Sequence, residues 1–349
     1  MSSINRAAGR GRGARSLSTR VSDQALLDVA VHLTARDRRL VRVIAEHRVL
    51  TTAQLAALGF GSAITARHRL AVLADLGVVR RFRPHREVGS APWHYLLGPV
   101  GAALLGAEDR DERKWLAAVR ADRQLALQRS QRLDHMIGVN WFFTALAASA
   151  RQTSDAELRL WLSEAAAIDW LHGQVRVTYN HLELPHPDGL GEWTERGQET
   201  AFLLEYDNGS EHLPQLAAKL GGYGSLAKAM ADLDHVCPLL LFCFPDPRRE
   251  QAARRALVSC HDAPALRIAT AAIDPERISP AGPVWMPLVP GWTSGPVALC
   301  ALDTALPDPW LDYRVRHALA RDRARRTDRQ AHWAYDPYDM DLSERTSTP

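Results

Sequence analysis

Two apolar runs constrain the fold more than any other feature of this chain of 349 residues. Residues 238–244 (PLLLFCF) are apolar throughout, and residues 200–207 (TAFLLEYD) are apolar up to an acidic end. A strand that lacks polar and apolar alternation is buried on both faces, as in the centre of a sheet that helices cover on both sides. The sequence therefore predicts an α/β domain.

The segments around these runs complete the pattern of a mixed sheet. Alternation over 157–163 predicts one strand, and a less regular pattern over 175–184 predicts another. The elements then read helix, three strands, helix and strand, which predicts an α/β sandwich with a mixed central sheet over residues 125–290. Its other elements are predicted at 125–150, 213–230 and 248–259 for helices and at 266–271 for a strand.

Residues 33–98 have the pattern of three short helices followed by a hairpin. Thr34, Thr51 and Ser62 stand at the three positions where an N-cap would begin a helix. Two strand patterns follow, joined by a loop. This order predicts a winged helix-turn-helix, whose third helix enters the major groove of DNA while its hairpin contacts phosphates.

Positive charge is concentrated on that third helix and hairpin. Residues 61–90 contain six arginines and two acidic residues. Duplex DNA attracts such a surface through its phosphates, although an arginine-rich winged helix can also be a solvated surface or bind a protein. The predicted DNA contacts are Thr65, Arg67, His68, Arg69, Arg80, Arg81, Arg83 and Arg86.

Three carboxylates mark the candidate chemistry of the second domain. Asp188 follows a proline, and Glu205 and Asp207 share one face of their strand because side chains alternate with period two. If the strands pair, the three oxygen donors converge, and Mg²⁺ is the cation that such donors prefer. We therefore predict a metal site at Asp188, Glu205 and Asp207, where a bound ion can activate water.

The combination resembles two nested families. Pro187-Asp188 followed by Glu205-x-Asp207 resembles the PD-(D/E)XK nuclease superfamily. The longer composite of winged helix, Pro187-Asp188-Gly189, residues 202–211 (FLLEYDNGSE), Lys219 and Tyr223 resembles the replication-relaxation family of actinobacterial plasmids and mobile elements, over residues 33–290. The resemblance implies an accessory DNA-binding factor in plasmid replication, relaxation or mobilisation, with relaxase or replication proteins as partners.

One position departs from the nuclease pattern. Active members of the superfamily carry lysine two residues after the second acid, where this chain has Asp207. Lys219, one of only three lysines in the chain, can replace it from the following helix. The predicted catalytic set is therefore Asp188, Glu205 and Lys219, and two alternatives to the accessory factor remain open: a Mg²⁺-dependent endonuclease or nickase, and a winged-helix transcriptional regulator.

The remaining segments are predicted to support these two domains. Residues 1–32 read as a disordered basic tail, 99–124 as a helical connector, and 291–349 as a proline-rich segment, a charged helix and a disordered tail. The sequence has no run of about 18 uncharged apolar residues, so no membrane span is expected. Four cysteines without metal-ligand spacing indicate a reducing cytoplasm, and a homo-oligomer is compatible with the sequence.

Overall fold

The computed structural model describes residues 21–306, apart from 86–88, 111, 131, 176–178, 180, 210, 261–265 and 275–276. The basic residues before position 21 and the charged helix and acidic tail predicted after position 306 lie outside the described residues. Within the described part of the chain, no helix is both long enough and apolar enough to cross a membrane.

The N-terminal unit is built from helices packed on a small antiparallel sheet. Capping boxes begin its second and third helices, with the Thr34 hydroxyl accepting from the Asp37 amide and the Thr51 hydroxyl accepting from the Gln54 amide. The sheet has the strand order β1-β3-β2. The elements are α1 (Asp23–Ala30), α2 (Ala35–His47), β1 (Leu50–Thr51), α3 (Thr52–Gly59), α4 (Ala63–Asp75), β2 (Val79–Phe82) and β3 (His94–Leu97).

Helix α1 corrects the prediction that residues 1–32 form a disordered tail throughout. Its residues Asp23–Ala30 are helical, and Val29 and the nearby Leu33 pack against the main apolar core. Packing of these apolar side chains against the core stabilises the helix.

Three further helices follow the hairpin, where a helical connector was predicted. Leu105 and Trp115 are buried in the same core as the N-terminal helices. The Gln124 side chain donates to the Leu97 carbonyl of β3 at 2.8 Å. The three helices are α5 (Pro99–Asp109), α6 (Glu112–Ala118) and α7 (Ala121–Gln128).

The second unit is organised around a mixed sheet of six strands in sequence order. Strand β5 is antiparallel to both of its neighbours, β4 and β6. Strands β6, β7 and β8 are parallel, and β9 is antiparallel to β8. The predicted mixed α/β class is thus confirmed. The elements are α8 (Leu133–Ala150), β4 (Ala156–Ser163), α9 (Glu164–Val175), β5 (Gly189–Glu195), β6 (Gln198–Tyr206), α10 (Leu213–Asp232), β7 (Leu239–Phe244), α11 (Pro247–Cys260), β8 (Ile268–Ala272) and β9 (Met286–Pro287).

The strand predicted over 175–184 is not found among the residues of that range that the structure describes. Val175 ends helix α9, and the second strand of the sheet is Gly189–Glu195, in a segment interpreted as loop. Gly191 is needed for packing in this strand, because a Cβ there would lie 2.4 Å from the Phe202 ring. Close approach of a neighbouring side chain is a recurrent reason for glycine inside a strand.

Helices cover both faces of the sheet, as the apolar runs require. Side chains that alternate along β6 point to opposite sides, so Phe202 and Leu204 pack in the α8 layer while Leu203 packs in the layer of α9, α10 and α11. The residues of β7 are fully buried. The sheet is thus the middle layer of a three-layer sandwich, and its strand ends are the places where polar side chains can meet solvent.

Helix α8 also binds the N-terminal unit through polar contacts. The Asn140 side chain donates to the carbonyls of His47 at 3.2 Å and Val49 at 2.7 Å. The Gln54 side chain donates to the Ile137 carbonyl at 2.8 Å. Because buried polar groups that lose their partners are costly, these bonds fix the orientation of the two units.

Gly138 provides a test of the packing of α8 on the sheet. A Cβ at this position would lie 2.2 Å from the Tyr206 ring. We predict that Gly138→Ala lowers the free energy of unfolding by about 1–3 kcal/mol through overpacking, measured by urea denaturation. Gly173→Ala is the matched control in α9, because a Cβ there would contact no neighbouring residue within 4 Å in the part of the chain that the structure describes. This variant should raise the free energy of unfolding by about 0.5–1 kcal/mol. An equal gain in the free energy of unfolding at both positions would contradict the close packing of Gly138 on the Tyr206 ring.

Candidate functional site

A polar cluster lies where β6 ends, between the first turn of α8 and the body of α10. Leu203 and Glu205 point to the α10 side of the sheet, whereas Tyr206 points to the α8 side. Residues preceding β5 lie next to this end because Gly189 pairs with Leu204 in an antiparallel register. The sheet topology therefore brings Asp188 and Glu205 to one edge, as the sequence predicted.

Asp188 is held by three hydrogen bonds. Its backbone amide donates to the Leu204 carbonyl at 2.8 Å. Its Oδ2 accepts from the Tyr206 amide at 2.8 Å, and its Oδ1 lies 2.8 Å from Nε2 of His135. The carboxylate is thus fixed against the end of β6, with 19% of its side chain exposed.

Glu205 is almost completely buried, with 3% of its side chain exposed. The Lys219 ammonium on α10 donates to Oε2 at 2.8 Å, and the Tyr223 hydroxyl donates to Oε1. Lys219 also forms an ion pair with Glu211 at 3.0 Å. The structure thus brings together the three residues predicted to be catalytic, and it places the lysine on the helix after the strand.

Burial and neighbouring charges shift the ionisation of this cluster. Burial and, secondarily, the charge of Asp188 raise the pKa of Glu205 to about 7, while Lys219 acts to lower it. Burial acts to lower the pKa of Lys219, but the charge and hydrogen bond of Glu205 outweigh it, so that pKa is raised. Near neutral pH the cluster can therefore exchange a proton at Glu205 while Lys219 stays charged.

Asp207, the third predicted ligand, has different partners. Its Oδ2 accepts from the Arg249 side chain of α11 at 2.7 Å, and its Oδ1 accepts from the Gly209 amide at 2.6 Å. Arg249 also donates to the Glu211 carbonyl. Asp207 thus ties the loop after β6 to α11, and that loop carries Glu211 to Lys219.

Asp207 does not share hydrogen-bond partners with Asp188 and Glu205, the other two predicted ligands. Among the residues that the structure describes, no three His, Cys, Asp or Glu side chains form a group that could hold a metal ion. Asp188 and Glu205 are the two carboxylates at the site, and all four of their oxygens have protein partners. A cation bound there would have to replace some of these contacts.

His135 is a site residue that the sequence prediction did not include. It lies in the first turn of α8, far from Asp188 in sequence. Burial acts to lower its pKa, but the hydrogen bond and charge of Asp188 and the charge of Glu205 outweigh it, so the pKa of His135 is raised. The available signal in the sequence was the pair Asp134-His135 at the start of α8. Only the fold shows that His135 contacts Asp188.

The predicted DNA contacts divide into exposed and internally paired residues. Arg69 forms an ion pair with the fully buried Asp37 and donates to the His32 carbonyl at 2.7 Å. Arg80 donates to the Gln124 side chain at 2.7 Å. Both therefore have structural partners, while Arg86 lies outside the described residues. The exposed members are Thr65, Arg67 and His68 on α4 and Arg80, Arg81 and Arg83 on the hairpin, and Arg80 is thus both exposed and paired.

Taken together, the fold and the cluster define a mixed α/β protein with an acid–lysine site at a sheet edge. A family model described as replication-relaxation matches residues 41–239, more than half of the chain. The chain therefore belongs to the replication-relaxation family. Comparison with curated proteins and with solved structures found no match in either.

The raised pKa of Glu205 predicts a pH dependence of stability. An unfolded glutamate ionises near its ordinary pKa of 4.5, whereas the folded group ionises near 7. Its stabilising contribution is complete below pH 4.5 and is lost as pH rises through 7. We expect unfolding free energy to fall less steeply with pH in Glu205→Gln than in the wild type, measured by denaturation at several pH values.

The matched control for this experiment is Glu199→Gln, on the same strand but half-exposed. It should keep the slope of the wild type. Only slopes are compared, because Glu205→Gln also weakens the contact with Lys219. Parallel curves for the wild type and Glu205→Gln would contradict the assignment of a raised pKa to Glu205.

Proposed function

We propose that the chain is a DNA-binding accessory protein of plasmid replication, relaxation or mobilisation. Its N-terminal unit would act as a winged helix-turn-helix on duplex DNA. The observation that carries this proposal is the exposed face of α4, which presents Thr65, Arg67 and His68 beside a hairpin that presents Arg81 and Arg83. Membership of the replication-relaxation family supports the same role.

The surface of α4 fits a DNA groove chemically. Ile64 and Val72 are 62% and 44% exposed on this helix, although large aliphatic side chains usually avoid water. Aliphatic groups in the major groove contact the methyl group of thymine, while hydroxyl and imidazole groups bond to base edges. Arg67 adds a positive charge that suits phosphate.

The Asp37–Arg69 ion pair supports the presentation of this helix. Asp37 lies in the first turn of α2 and Arg69 lies in the middle of α4. The pair fixes α4 on α2, while Ala66, Leu70 and Leu73 bury its inner face. The outer face is therefore held in one orientation, which helps a recognition helix read bases.

The α/β unit would hold DNA or a partner without cutting it. Its order of α8, β4, α9, β5, β6, α10 and β7 supports a comparison with the nuclease-like pattern of helix, three strands, helix and strand, with α9 as an additional helix between the first two strands. The carboxylates of Asp188 and Glu205 are satisfied by protein donors rather than open. The proposed partners are duplex DNA and relaxase or replication proteins, in the cytoplasm, with a homo-oligomer as a further option.

A Mg²⁺-dependent endonuclease or nickase is the second candidate function. The observation in its favour is that Lys219 lies 2.8 Å from Glu205, although it is not in the usual sequence position. Asp188 and Glu205 would hold the ion together with water, which suits the preference of Mg²⁺ for oxygen ligands. The ion would supply an activated water, and Lys219 would orient that water.

DNA binding by α4 is tested with a double variant on this helix and a control variant in the other unit. We expect the pair Arg67→Ala, His68→Ala to weaken binding to duplex DNA at least tenfold, because each lost base contact costs about 1–3 kcal/mol. The slope of log affinity against log salt should fall by about 1 for the lost phosphate contact. Arg277→Ala removes an arginine that is 83% exposed in the other unit and should have no effect. Binding that is absent, or that is equal in all proteins, would refute the proposal.

Cleavage is tested on supercoiled plasmid with Mg²⁺ or Mn²⁺, and with a chelator. The accessory function predicts intact plasmid that is retarded on a gel equally by the wild type and by an Asp188→Ala, Glu205→Ala double variant. Nicking that needs the metal and is lost in the double variant would establish the second candidate instead. Lys219→Met would then lower the cleavage rate without abolishing DNA binding.

A further inference from the structure

We propose that Trp93 is a positioning residue that holds Arg81 and Arg83 as a site for the phosphates of duplex DNA. This inference rests on the proposed function and adds to it the residue that organises the hairpin surface. The three side chains define what we call the arginine–tryptophan platform. Trp93 itself would make no contact with DNA.

The platform follows from the register of the hairpin. Arg81 pairs with Tyr95 across the antiparallel strands β2 and β3. Continuing that register places Arg83 opposite Trp93, with Arg81 on the diagonal, and such neighbours on one face of a sheet interact. The guanidinium carbons of Arg81 and Arg83 lie 4.7 Å and 4.2 Å from the centre of the Trp93 ring.

Trp93 is anchored from below, so its ring is a fixed support. Its carbonyl accepts from the Thr52 amide at 3.0 Å, at the start of α3. Its side chain is half-buried and packs against the core of the N-terminal unit. The Arg83 side chain is further held by a hydrogen bond to the Ser90 hydroxyl at 2.9 Å. The hairpin arginines are thus tied to the same framework as the helices.

The geometry selects phosphate over bases. A guanidinium is attracted to the face of an indole ring, and its planar edge keeps N–H donors directed outward. Single-stranded DNA is held by bases stacking on aromatic rings, but here two guanidinium groups cover the ring. The platform therefore offers two positioned cations and no open aromatic surface, which suits the phosphates of a duplex.

The test is a double-mutant cycle on the full chain, with a labelled duplex of mixed sequence as the probe. We expect Trp93→Ala to weaken binding about 5- to 10-fold, because two arginines lose their orientation. In the background Arg81→Ala, Arg83→Ala, the same change should have no further effect. Trp93→Phe should restore part of the affinity, and thermal melting should confirm that each variant is folded.

The outcomes separate this inference from the proposed function. If Trp93→Ala weakens binding equally in both backgrounds, Trp93 acts through the fold and the inference is overturned. If the double arginine variant weakens binding while Trp93→Ala does not, the inference alone is overturned. Tighter binding of a single strand than of the duplex would overturn the assignment to duplex phosphates. A wild-type protein that binds no duplex would overturn the proposed function and the inference together.

Discussion

A stack of aromatic rings connects the N-terminal helices to the sheet, and the arrangement of the two units depends on it. The His47 ring at the end of α2 lies 3.7 Å from that of Trp161 on β4. Trp161 stacks on Phe143 at 5.2 Å, and Phe143 stacks on Phe202 at 5.9 Å. Burial lowers the pKa of His47 to about 3, so the ring is neutral at ordinary pH and can lie within an apolar stack.

This stack joins the N-terminal unit and the α/β unit in one continuous core. Apolar side chains of α2, α4, α8 and the sheet belong to the same buried cluster. Interfaces between independent domains are usually smaller and more polar. The exposed face of α4 and the acidic site therefore keep a fixed geometry relative to each other.

The sequence predicted those features that depend on local pattern. The apolar runs predicted the central positions of β6 and β7, and the rarity of lysine indicated Lys219 as a candidate site residue. It could not predict partners chosen by tertiary packing. Asp207 shares the strand face of Glu205, but it lies past the strand end, where Arg249 reaches it. The sequence predicted that Arg69 contacts DNA, yet Arg69 forms an ion pair with the buried Asp37. The need for glycine at position 191 follows only from the Phe202 ring beside it.

The acidic site contains an arrangement that a purely structural cluster does not need. An apolar residue in place of a buried ion pair is often at least as stable, and a buried carboxylate with a raised pKa, such as Glu205, is a feature that is common at functional sites. Lys219 contacts both Glu205 and Glu211. If Glu205 turned to a cation, Lys219 could keep its charge paired through Glu211, at the cost of one contact rather than two. Glu211 is itself held in place through Arg249 and Asp207. Asp207 thus holds, through Arg249, the loop whose Glu211 contacts Lys219.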